Sequence, residues 1–179
     1  WEAFPGKPDA QREFLSRLDD TGKDFRLLIL SPERPTRPNW CPSDAWQSKT
    51  VPSNFFEHGK YRFSLLANPT KKIVVRDEQG NRKKNGRRVP LSKREELLVW
   101  MQRKGEQHGF TLDPSTLKTI PRPRQHFLKK GAGGTHTSTE FQGTLQVIDS
   151  SAFKLAATQG IGSAKAFGFG LLCLTPIIA

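Results

Sequence analysis

The sequence predicts an α+β fold built on the ferredoxin-like unit. From residue 61 onward, segments with strand and helix patterning follow one another in the order β–α–β–β–α–β, which is typical of the split βαβ arrangement of that unit. Residues 1–60 contain one helix-like and one strand-like segment followed by irregular sequence. They are compatible with a second such unit that has lost its first strand.

The first sixty residues are predicted to form a helix, a strand and an irregular stretch. Asp9 is a candidate N-cap for a helix that carries Phe14, Leu15 and Leu18 on one apolar face. Residues 25–30 are a nearly continuous apolar run, which suits a buried strand. Residues 31–42 hold four prolines, and this density excludes a helix there.

A basic hairpin and a helix follow the first strand of the complete unit. Residues 61–67 alternate and then become apolar, as expected of a strand. Residues 71–94 contain ten basic residues and two acids, and we interpret them as a flexible hairpin. Ser92 and Glu95 have the spacing of a capping box, which predicts a helix over residues 95–107.

A second hairpin is predicted in the following segment. Residues 117–120 have the pattern of a short strand, and residues 122–130 continue with four positive charges and no acid. Residues 131–134 form a glycine-rich tip, and residues 135–148 are rich in strand-forming side chains. The basic side chains of this hairpin are therefore expected to project from a strand edge.

The segment from Gly160 to Gly170 is the most informative part of the chain. A helix capped by Ser150 and Ser151 is expected to end at Gly160, and a strand is expected over residues 168–174. The order helix, loop, strand is the reverse of a Rossmann fingerprint, and the P-loop motif is absent, so no nucleotide cofactor is expected. The loop suits an anion-binding nest of backbone N–H groups with Lys165 adding a charge, or a tight connection in which glycines serve packing alone.

The charge balance points to a polyanionic partner. The chain has 29 Lys and Arg against 17 Asp and Glu, a formal net charge of +12. Such an excess attracts polyanions over long distances, and nucleic acid is the first candidate because neutralising its phosphates releases counterions. A generally basic protein is the alternative, but the clustering of the charges favours a nucleic-acid partner.

The sequence contains none of the common motifs of hydrolase active sites or of metal sites. The four histidines form no H-E-x-x-H motif, no G-x-S-x-G elbow is present, and the basic half has few carboxylates for a two-metal site. Cys41 and Cys173 lack zinc-site spacing, so neither a metal nor another cofactor is expected. No apolar stretch of membrane-spanning length and no signal peptide is present, so a cytoplasmic location and no membrane partner are expected.

Several segments together identify a family. They are F-P-G-K-P-D-A at residues 4–10, Phe14-Leu15, residues 61–69, residues 88–91, Trp100 and above all the glycine-rich residues 160–172. With these, essentially the whole chain resembles the CasE (Cse3) family, the CRISPR repeat-RNA endoribonucleases of type I-E Cascade complexes. The resemblance implies two tandem ferredoxin-like domains (RRM-like, RAMP), which we place at residues 1–58 and 59–179. The first lacks its N-terminal strand in this chain.

The resemblance also implies a function and its partners. The protein would bind the stem-loop of the CRISPR repeat and cleave it without a metal, by attack of a ribose 2′-hydroxyl that leaves a cyclic phosphate. It would then stay on the crRNA hairpin as a subunit of Cascade, in antiviral defence. The other Cascade subunits, especially the CasC-type backbone subunit, would be partners, and target DNA would be met only indirectly through the complex.

Site residues follow from the same resemblance. The basic hairpin would enter the groove of the RNA stem through Arg124, Lys129 and Lys130. The glycine-rich loop would hold the RNA strand near the cleavage site. Its residues are Gly160, Gly162, Lys165, Gly168 and Gly170.

The catalytic residue is not identified within the chain. In the family, the catalytic histidine lies on the first helix, upstream of the segment that begins here at Trp1, and no residue of this sequence matches it. Either it precedes Trp1 or this copy is inactive, and we do not assign the role to His126. A non-catalytic RNA-binding subunit of a ribonucleoprotein is the first alternative function, and a DNA-binding accessory protein is the second.

Overall fold

A computed structural model describes residues 2–4, 13–82, 86–129 and 132–178. These contain two α-helices, two short 3-10 helices and nine strands. The strands are β1 (Leu15–Asp20), β2 (Phe25–Leu30), β3 (Lys60–Ala67), β4 (Thr70–Ile73), β5 (Arg87–Pro90), β6 (Phe110–Leu112), β7 (Lys118–Lys129), β8 (Ala132–Val147) and β9 (Leu172–Pro176). The helices are α1 (Arg94–Gln107) and α2 (Ser150–Gln159), with 3-10 turns at Ser53–Phe56 and Lys165–Phe167.

The main sheet is antiparallel and has β3 at its centre. β3 pairs with β8 on one side and with β9 on the other. Both β6 and β7 pair with the far edge of β8, one after the other along its length. The order β6–β8–β3–β9, with α1 and α2 as crossovers, is the ferredoxin-like arrangement predicted from the element order.

One face of this sheet carries the core. Along β3 the side chains alternate, with Tyr61, Phe63 and Leu65 buried and Arg62 exposed. The buried side chains of the helices pack against them and against β8. The main members from the helices and from β8 are Leu97, Trp100, Met101, Phe153, Phe141 and Leu145. This packing holds the main sheet in place, and the sheet in turn supports the β7–β8 hairpin and the loop between α2 and β9 that are described below.

The predicted N-terminal helix is wrong over its second half. Residues 15–20 form β1, which pairs with β2 in an antiparallel hairpin, with Leu18 opposite Leu27. Leu15 and Arg17 are buried while the residues between and after them are more exposed, a two-residue period rather than a helical one. Pairing with β2 around a tight turn overrides the helical spacing of the leucines. Asp9 lies outside the described residues.

The predicted helix caps also need correction. Lys93, not Ser92, is the N-cap of α1, and no side chain bonds to its first N–H groups. Asp149, not Ser150, is the N-cap of α2. Its carboxylate accepts hydrogen bonds from the backbone N–H groups of Ser151 and Ala152, at 2.9 and 3.0 Å. A carboxylate one residue earlier reaches these N–H groups first and also complements the helix dipole.

Two strand boundaries differ from the prediction. The last strand starts at Leu172 rather than at residue 168, because Gly168 and Gly170 have φ values of 85° and 90°, which no strand contains. The strand predicted at residues 117–120 extends to Lys129. Together with β8 it forms a hairpin much longer than the sheet it grows from.

Candidate nucleic-acid interface

A two-stranded arm projects from the main sheet. β3 pairs only with residues 139–146 of β8, so β7 and β8 continue beyond the edge of β3 as an isolated hairpin. We call residues 122–129 and 132–138 the hairpin arm. The pairing register shifts between Arg122 and Gln125, and Arg124 lies exposed in this bulge. A bulge turns a side chain away from the ladder, so Arg124 is free to reach a partner.

Of the other two predicted arm residues, the structure describes only the backbone of Lys129. The backbone of Lys129 pairs with Ala132, next to the turn of the arm. Lys130 lies outside the described residues. The structure therefore places Arg124 and Lys129 on the same arm, separated along β7, as the sequence predicts for a hairpin that presents basic residues.

A buried carboxylate anchors the base of the arm. Glu140 on β8 accepts hydrogen bonds from the Arg17 guanidinium of β1 at 2.9 Å, from Ser64 Oγ at 2.7 Å and from Gln142 Nε2 at 2.8 Å. Its second oxygen accepts two bonds from Arg122, one of them from Nε at 2.9 Å. Burial alone would raise the pKa of Glu140, but these hydrogen bonds outweigh it and lower that pKa to about 2. The carboxylate thus ties β1, β3 and the arm together as a permanent anion.

The glycine-rich loop, residues 160–170, connects α2 to β9 and packs closely on itself. At Gly170 a Cβ atom would lie 2.7 Å from the carbonyl oxygen of Ile161, and at Gly160 it would lie 2.8 Å from the side chain of Leu15. Both glycines also have positive φ values, 90° and 79°. These two positions therefore require glycine for the fold of the loop itself.

Gly162 and Gly168 have more space. A Cβ at Gly162 would meet only the Trp100 ring at 3.5 Å, and one at Gly168 only the Ser16 carbonyl oxygen at 3.7 Å. A Cβ atom at either position would therefore make only an ordinary van der Waals contact. Glycine is favoured at these two positions by their positive φ values. The five predicted loop residues are thus all part of one compact turn, but they differ in what they contribute.

The crown of the loop presents unpaired backbone donors. The loop is closed by bonds from Ile161 N–H to the Gly170 carbonyl at 2.9 Å and from Gly170 N–H to the Leu66 carbonyl at 2.8 Å. Between them, the four consecutive N–H groups of residues 162–165 form no hydrogen bond with any residue that the structure describes. Consecutive free N–H groups at glycine-rich turns are a general means of binding anions.

Lys165 adds positive charge beside the loop rather than at its outer edge. Its Nζ donates to the carbonyl oxygen of Gln159 at 2.7 Å, which satisfies one free group at the C-terminus of α2 and complements the helix dipole. The charge also acts on α1. Burial first, and then the nearby charges including Lys165, lower the pKa of both Lys104 and His108. The ends of the two helices thus form a positive region behind the loop.

An aromatic cluster joins the arm to the loop. Phe127 of β7 stacks on His136 of β8 with ring centroids 4.5 Å apart. Phe167 of the loop contacts both rings, at 4.7 and 4.8 Å, and Phe169 contacts His136 at 5.7 Å. Gly134 makes room for this arrangement, because a Cβ there would lie 2.2 Å from the Phe127 ring. The two predicted RNA-binding elements are therefore in direct contact.

His136 was not singled out from the sequence. Asn68 Nδ2 lies 2.9 Å from its Nδ1, so the amide donates and the ring proton sits on Nε2, which is buried without a partner among the described residues. Burial lowers the pKa of His136, which keeps the ring neutral. His126, in contrast, is exposed, with its Nδ1 3.3 Å from Thr135 Oγ1. Phe127 and His136 are two residues apart in the cross-strand register, a signal available only once that register is known.

The described part of the chain was also expected to lack a metal site and a membrane-spanning segment. No group of three or more His, Cys, Asp or Glu residues there is arranged to hold a metal ion. Cys41 and Cys173 are both free and half-buried. Among the described helices, none has the length and apolar character needed to cross a bilayer.

Known proteins resemble this chain over nearly its full length. A family model described as CRISPR associated protein matches residues 1–176. The CRISPR system Cascade subunit CasE of Escherichia coli (strain K12) is 32% identical over 183 residues, which cover 99% of this chain and 88% of that protein. The CRISPR-associated endoribonuclease Cse3 of Thermus thermophilus is 26% identical over 188 residues, covering 90% of this chain and 85% of that protein.

A solved structure agrees with the fold. The crystal structure of the CRISPR-associated protein Cas6e from Escherichia coli str. K-12 is similar to this one with a TM-score of 0.70 and 28% sequence identity. The match covers 99% of this chain and 88% of that chain. The predicted α+β class with ferredoxin-like domains is thereby confirmed.

Proposed function

Because the chain belongs to the CRISPR-associated CasE (Cse3) family, we propose that it is an endoribonuclease that binds and cleaves the stem-loop of CRISPR repeat RNA. The observation that carries this proposal is the contact between the hairpin arm and the glycine-rich loop through Phe127, His136 and Phe167. The hairpin arm can enter a groove of the RNA stem while the glycine-rich loop binds the RNA backbone. The net charge of +12 supplies the attraction to phosphate.

The arm and the loop together are suited to bind an RNA in which a double-stranded stem continues into a single strand. An A-form stem hides its base edges in a deep, narrow groove, so shape and phosphate contacts dominate its recognition. Arg124 in the bulge and Lys129 near the tip are the arm residues proposed to contact the stem, together with Lys130, the next residue in the sequence. The free N–H groups of residues 162–165 are proposed to bind a phosphate of the strand that is cut.

The proposed chemistry uses a hydroxyl of the substrate as nucleophile. The ribose 2′-oxygen bonds to the adjacent phosphorus, the bond from phosphorus to the 5′-oxygen breaks, and a cyclic phosphate and a 5′-hydroxyl result. The 2′-hydroxyl loses a proton and the leaving oxygen gains one. Holding the 2′-oxygen in line with the scissile bond removes a large entropic barrier, and positive groups offset the charge that develops on the phosphate.

The proton acceptor stays a prediction. The family resemblance assigns it to a histidine upstream of Trp1. Within the described chain, His136 is held neutral inside the aromatic cluster and His126 is an exposed side chain on the arm. Neither has the setting of a catalytic base next to the loop.

The test is cleavage of a repeat stem-loop RNA by the full-length protein in EDTA. We expect cutting at one position with a cyclic phosphate on the upstream product. A substrate with a 2′-deoxy nucleotide at the scissile position is the control, which should bind with unchanged affinity and stay intact. A protein that neither binds nor cleaves the repeat RNA would contradict the proposal.

Binding without cleavage would support the second candidate, a non-catalytic RNA-binding subunit of a ribonucleoprotein. This candidate needs only the RNA-binding elements, the hairpin arm and the glycine-rich loop, which are in contact through Phe127, His136 and Phe167. In either case we propose that the protein stays bound to the repeat hairpin within Cascade. It would contact a CasC-type backbone subunit there and act in the cytoplasm, where the transcript is made.

We also propose the domain division at residues 1–58 and 59–179. The main sheet, α1 and α2 all belong to the second range, and β1 and β2 belong to the first. Arg17 and Glu140 join the two across the open face of the main sheet.

A further inference from the structure

The hairpin formed by β4, β5 and the residues between them places like charges directly opposite one another. Lys72 on β4 faces Arg88 on β5. Nearer the tip, Arg76 faces Arg82 in an isolated bridge. Like charges in directly opposite positions repel, so each pair destabilises the hairpin. We call this element, residues 70–82 and 86–90, the basic hairpin.

No acid in the described part of the chain forms an ion pair with these four exposed cations. The neighbouring Lys71 pairs with Glu96 of α1 at 2.6 Å. Asp77 lies within the hairpin, but it accepts hydrogen bonds from the backbone N–H groups of Gln79 and Asn81, at 3.1 and 2.8 Å. Its carboxylate is therefore used to form the turn.

The side chain of Lys72 is held against the opposite strand. A Cβ atom at Gly86 would lie 2.8 Å from Lys72 Cε and 2.5 Å from the carbonyl oxygen of Ile73. The aliphatic part of the lysine thus lies across the glycine backbone. Gly86 allows this close approach, because the Cβ of any other residue would lie too near the Ile73 carbonyl oxygen and the lysine side chain.

The basic hairpin leaves the main sheet at the same place as the other two elements. It begins directly after β3, where Leu91 N–H donates to the Pro69 carbonyl at 3.0 Å. One residue earlier, Asn68 contacts His136 of the hairpin arm. The glycine-rich loop is bonded to Leu66. All three elements therefore meet at the end of β3.

We propose that the basic hairpin binds the sugar–phosphate backbone of the single-stranded RNA that flanks the repeat stem-loop. The proposal rests on the proposed function, in which the arm contacts the stem and the loop holds the strand that is cut. A strand that leaves the loop passes the neighbouring hairpin. Lys72 and Arg76 are four residues apart on one side of the hairpin, about 13 Å if that segment is extended, and Arg82 and Arg88 are six residues apart on the other side. This spacing suits two phosphates of one strand better than a single anion.

The test exploits the opposite effects expected on stability and on binding. Arg88→Glu and Arg82→Glu each turn a repulsive pair into an attractive one, so the melting temperature should rise. Each variant should bind a stem-loop RNA with a single-stranded flank about tenfold more weakly, and the bare stem-loop less than twofold more weakly. The slope of log affinity against log salt for the flanked RNA should fall by about 0.7 per lost phosphate contact.

Lys154→Glu is the matched control, because it makes the same change of charge on the exposed side of α2. An equal loss on both RNAs, a loss no larger than that of the control, or a loss seen only with duplex DNA of the same length overturns the proposal. A fall in melting temperature contradicts the repulsive pairing. If the wild-type protein binds the bare stem-loop but gains nothing from the flank, only this inference fails. If it binds neither RNA, the proposed function fails as well.

Discussion

His136 connects the hairpin arm both to the glycine-rich loop, a contact it shares with Phe127, and to the end of β3. It stacks on Phe127 and Phe167 and accepts a hydrogen bond from Asn68 at the end of β3. Removing the ring leaves a void between arm and loop, and removing only its nitrogen leaves a buried amide donor unpaired. Both changes should weaken the contacts that hold the arm in its orientation, and removal of the whole ring should have the larger effect.

We expect His136→Ala to lower the free energy of unfolding by about 3 kcal/mol and His136→Phe, which keeps the stacking, by about 1–2 kcal/mol. Both variants should also bind stem-loop RNA more weakly, in the same order. His126→Ala is the control on the same arm, because its ring is exposed and should cost less than about 0.5 kcal/mol. Urea unfolding and RNA titration measure the two effects. Equal losses in the His126 and His136 variants would contradict this role.

Glu140 gives a pH-dependent prediction. Its pKa is lowered from 4.5 to about 2 in the folded protein, so the folded state favours the anion. The resulting stabilisation is fully present above pH 4.5 and is lost as the pH falls toward 2, and it amounts to about 3 kcal/mol. Glu140→Gln should therefore be less stable at pH 7 and should lose less stability than the wild-type protein between pH 4.5 and 2.

Glu96→Gln is the comparison for Glu140→Gln. It removes the partner of Lys71, an ion pair whose lysine is half-exposed, and should change the free energy of unfolding by less than about 1 kcal/mol. Unfolding by urea at pH 7, 4.5 and 2.5 gives both results. Parallel pH profiles of the Glu140 variant and the wild-type protein would show that the buried network does not control acid stability.

The residues missed from the sequence are those whose partners are distant in the chain. Asn68 and His136 are 68 positions apart, and Arg17 and Glu140 are 123 apart. Such contacts depend on the three-dimensional arrangement of strands and leave no local spacing to detect. Asp149 was missed for a local reason, since two serines follow it and each is an acceptable cap by itself.

At the scale of elements, the glycine-rich loop combines internal packing with a free crown. Gly170 approaches Ile161 closely and donates to Leu66, and this holds the ends of the loop in place. The N–H groups of residues 162–165 lie between these fixed ends. The sequence predicted both uses of glycine as alternatives, and the structure assigns packing to Gly160 and Gly170.

Gly170→Ala should therefore be more harmful than the same change in an open turn. Gly80 in the basic hairpin has a similar φ, 82° against 90°, but a Cβ there meets no atom within 4 Å. We expect about 1 kcal/mol of destabilisation for Gly80→Ala, from backbone strain alone. Gly170→Ala adds the clash with the Ile161 carbonyl and should cost at least about 2 kcal/mol more. Similar unfolding free energies for the two variants would contradict the packing role.

β1 shows where element prediction failed. Its leucines at positions 15 and 18 have helical spacing, but residues 15–20 pair fully with residues 25–30 across a tight turn. Thr21 N–H donates to the Asp24 carbonyl, and Gly22 supplies the positive φ that the turn needs. A turn at residues 21–24 is compatible with either a helix or a strand before it, so the turn residues alone do not predict the hairpin.

At the scale of the whole molecule, the element order after residue 60 was enough to predict the ferredoxin-like sheet. The order of its strands, with β3 at the centre, follows from that topology. The meeting of the hairpin arm, the glycine-rich loop and the basic hairpin at the end of β3 could not be predicted, because it depends on how far β8 extends past β3. We propose that this meeting point is where the clustered positive charge of the chain contacts RNA.

The most direct test is amide hydrogen exchange of the full-length protein with and without repeat stem-loop RNA. We expect slower exchange on RNA binding at the N–H groups of residues 162–165 and in residues 122–129 and 132–138 of the arm, with no change in β1 and β2. The four loop amides are decisive, because they form no hydrogen bond within the described protein and can gain protection by binding phosphate. Saturating RNA that leaves their exchange unchanged would contradict the central claim.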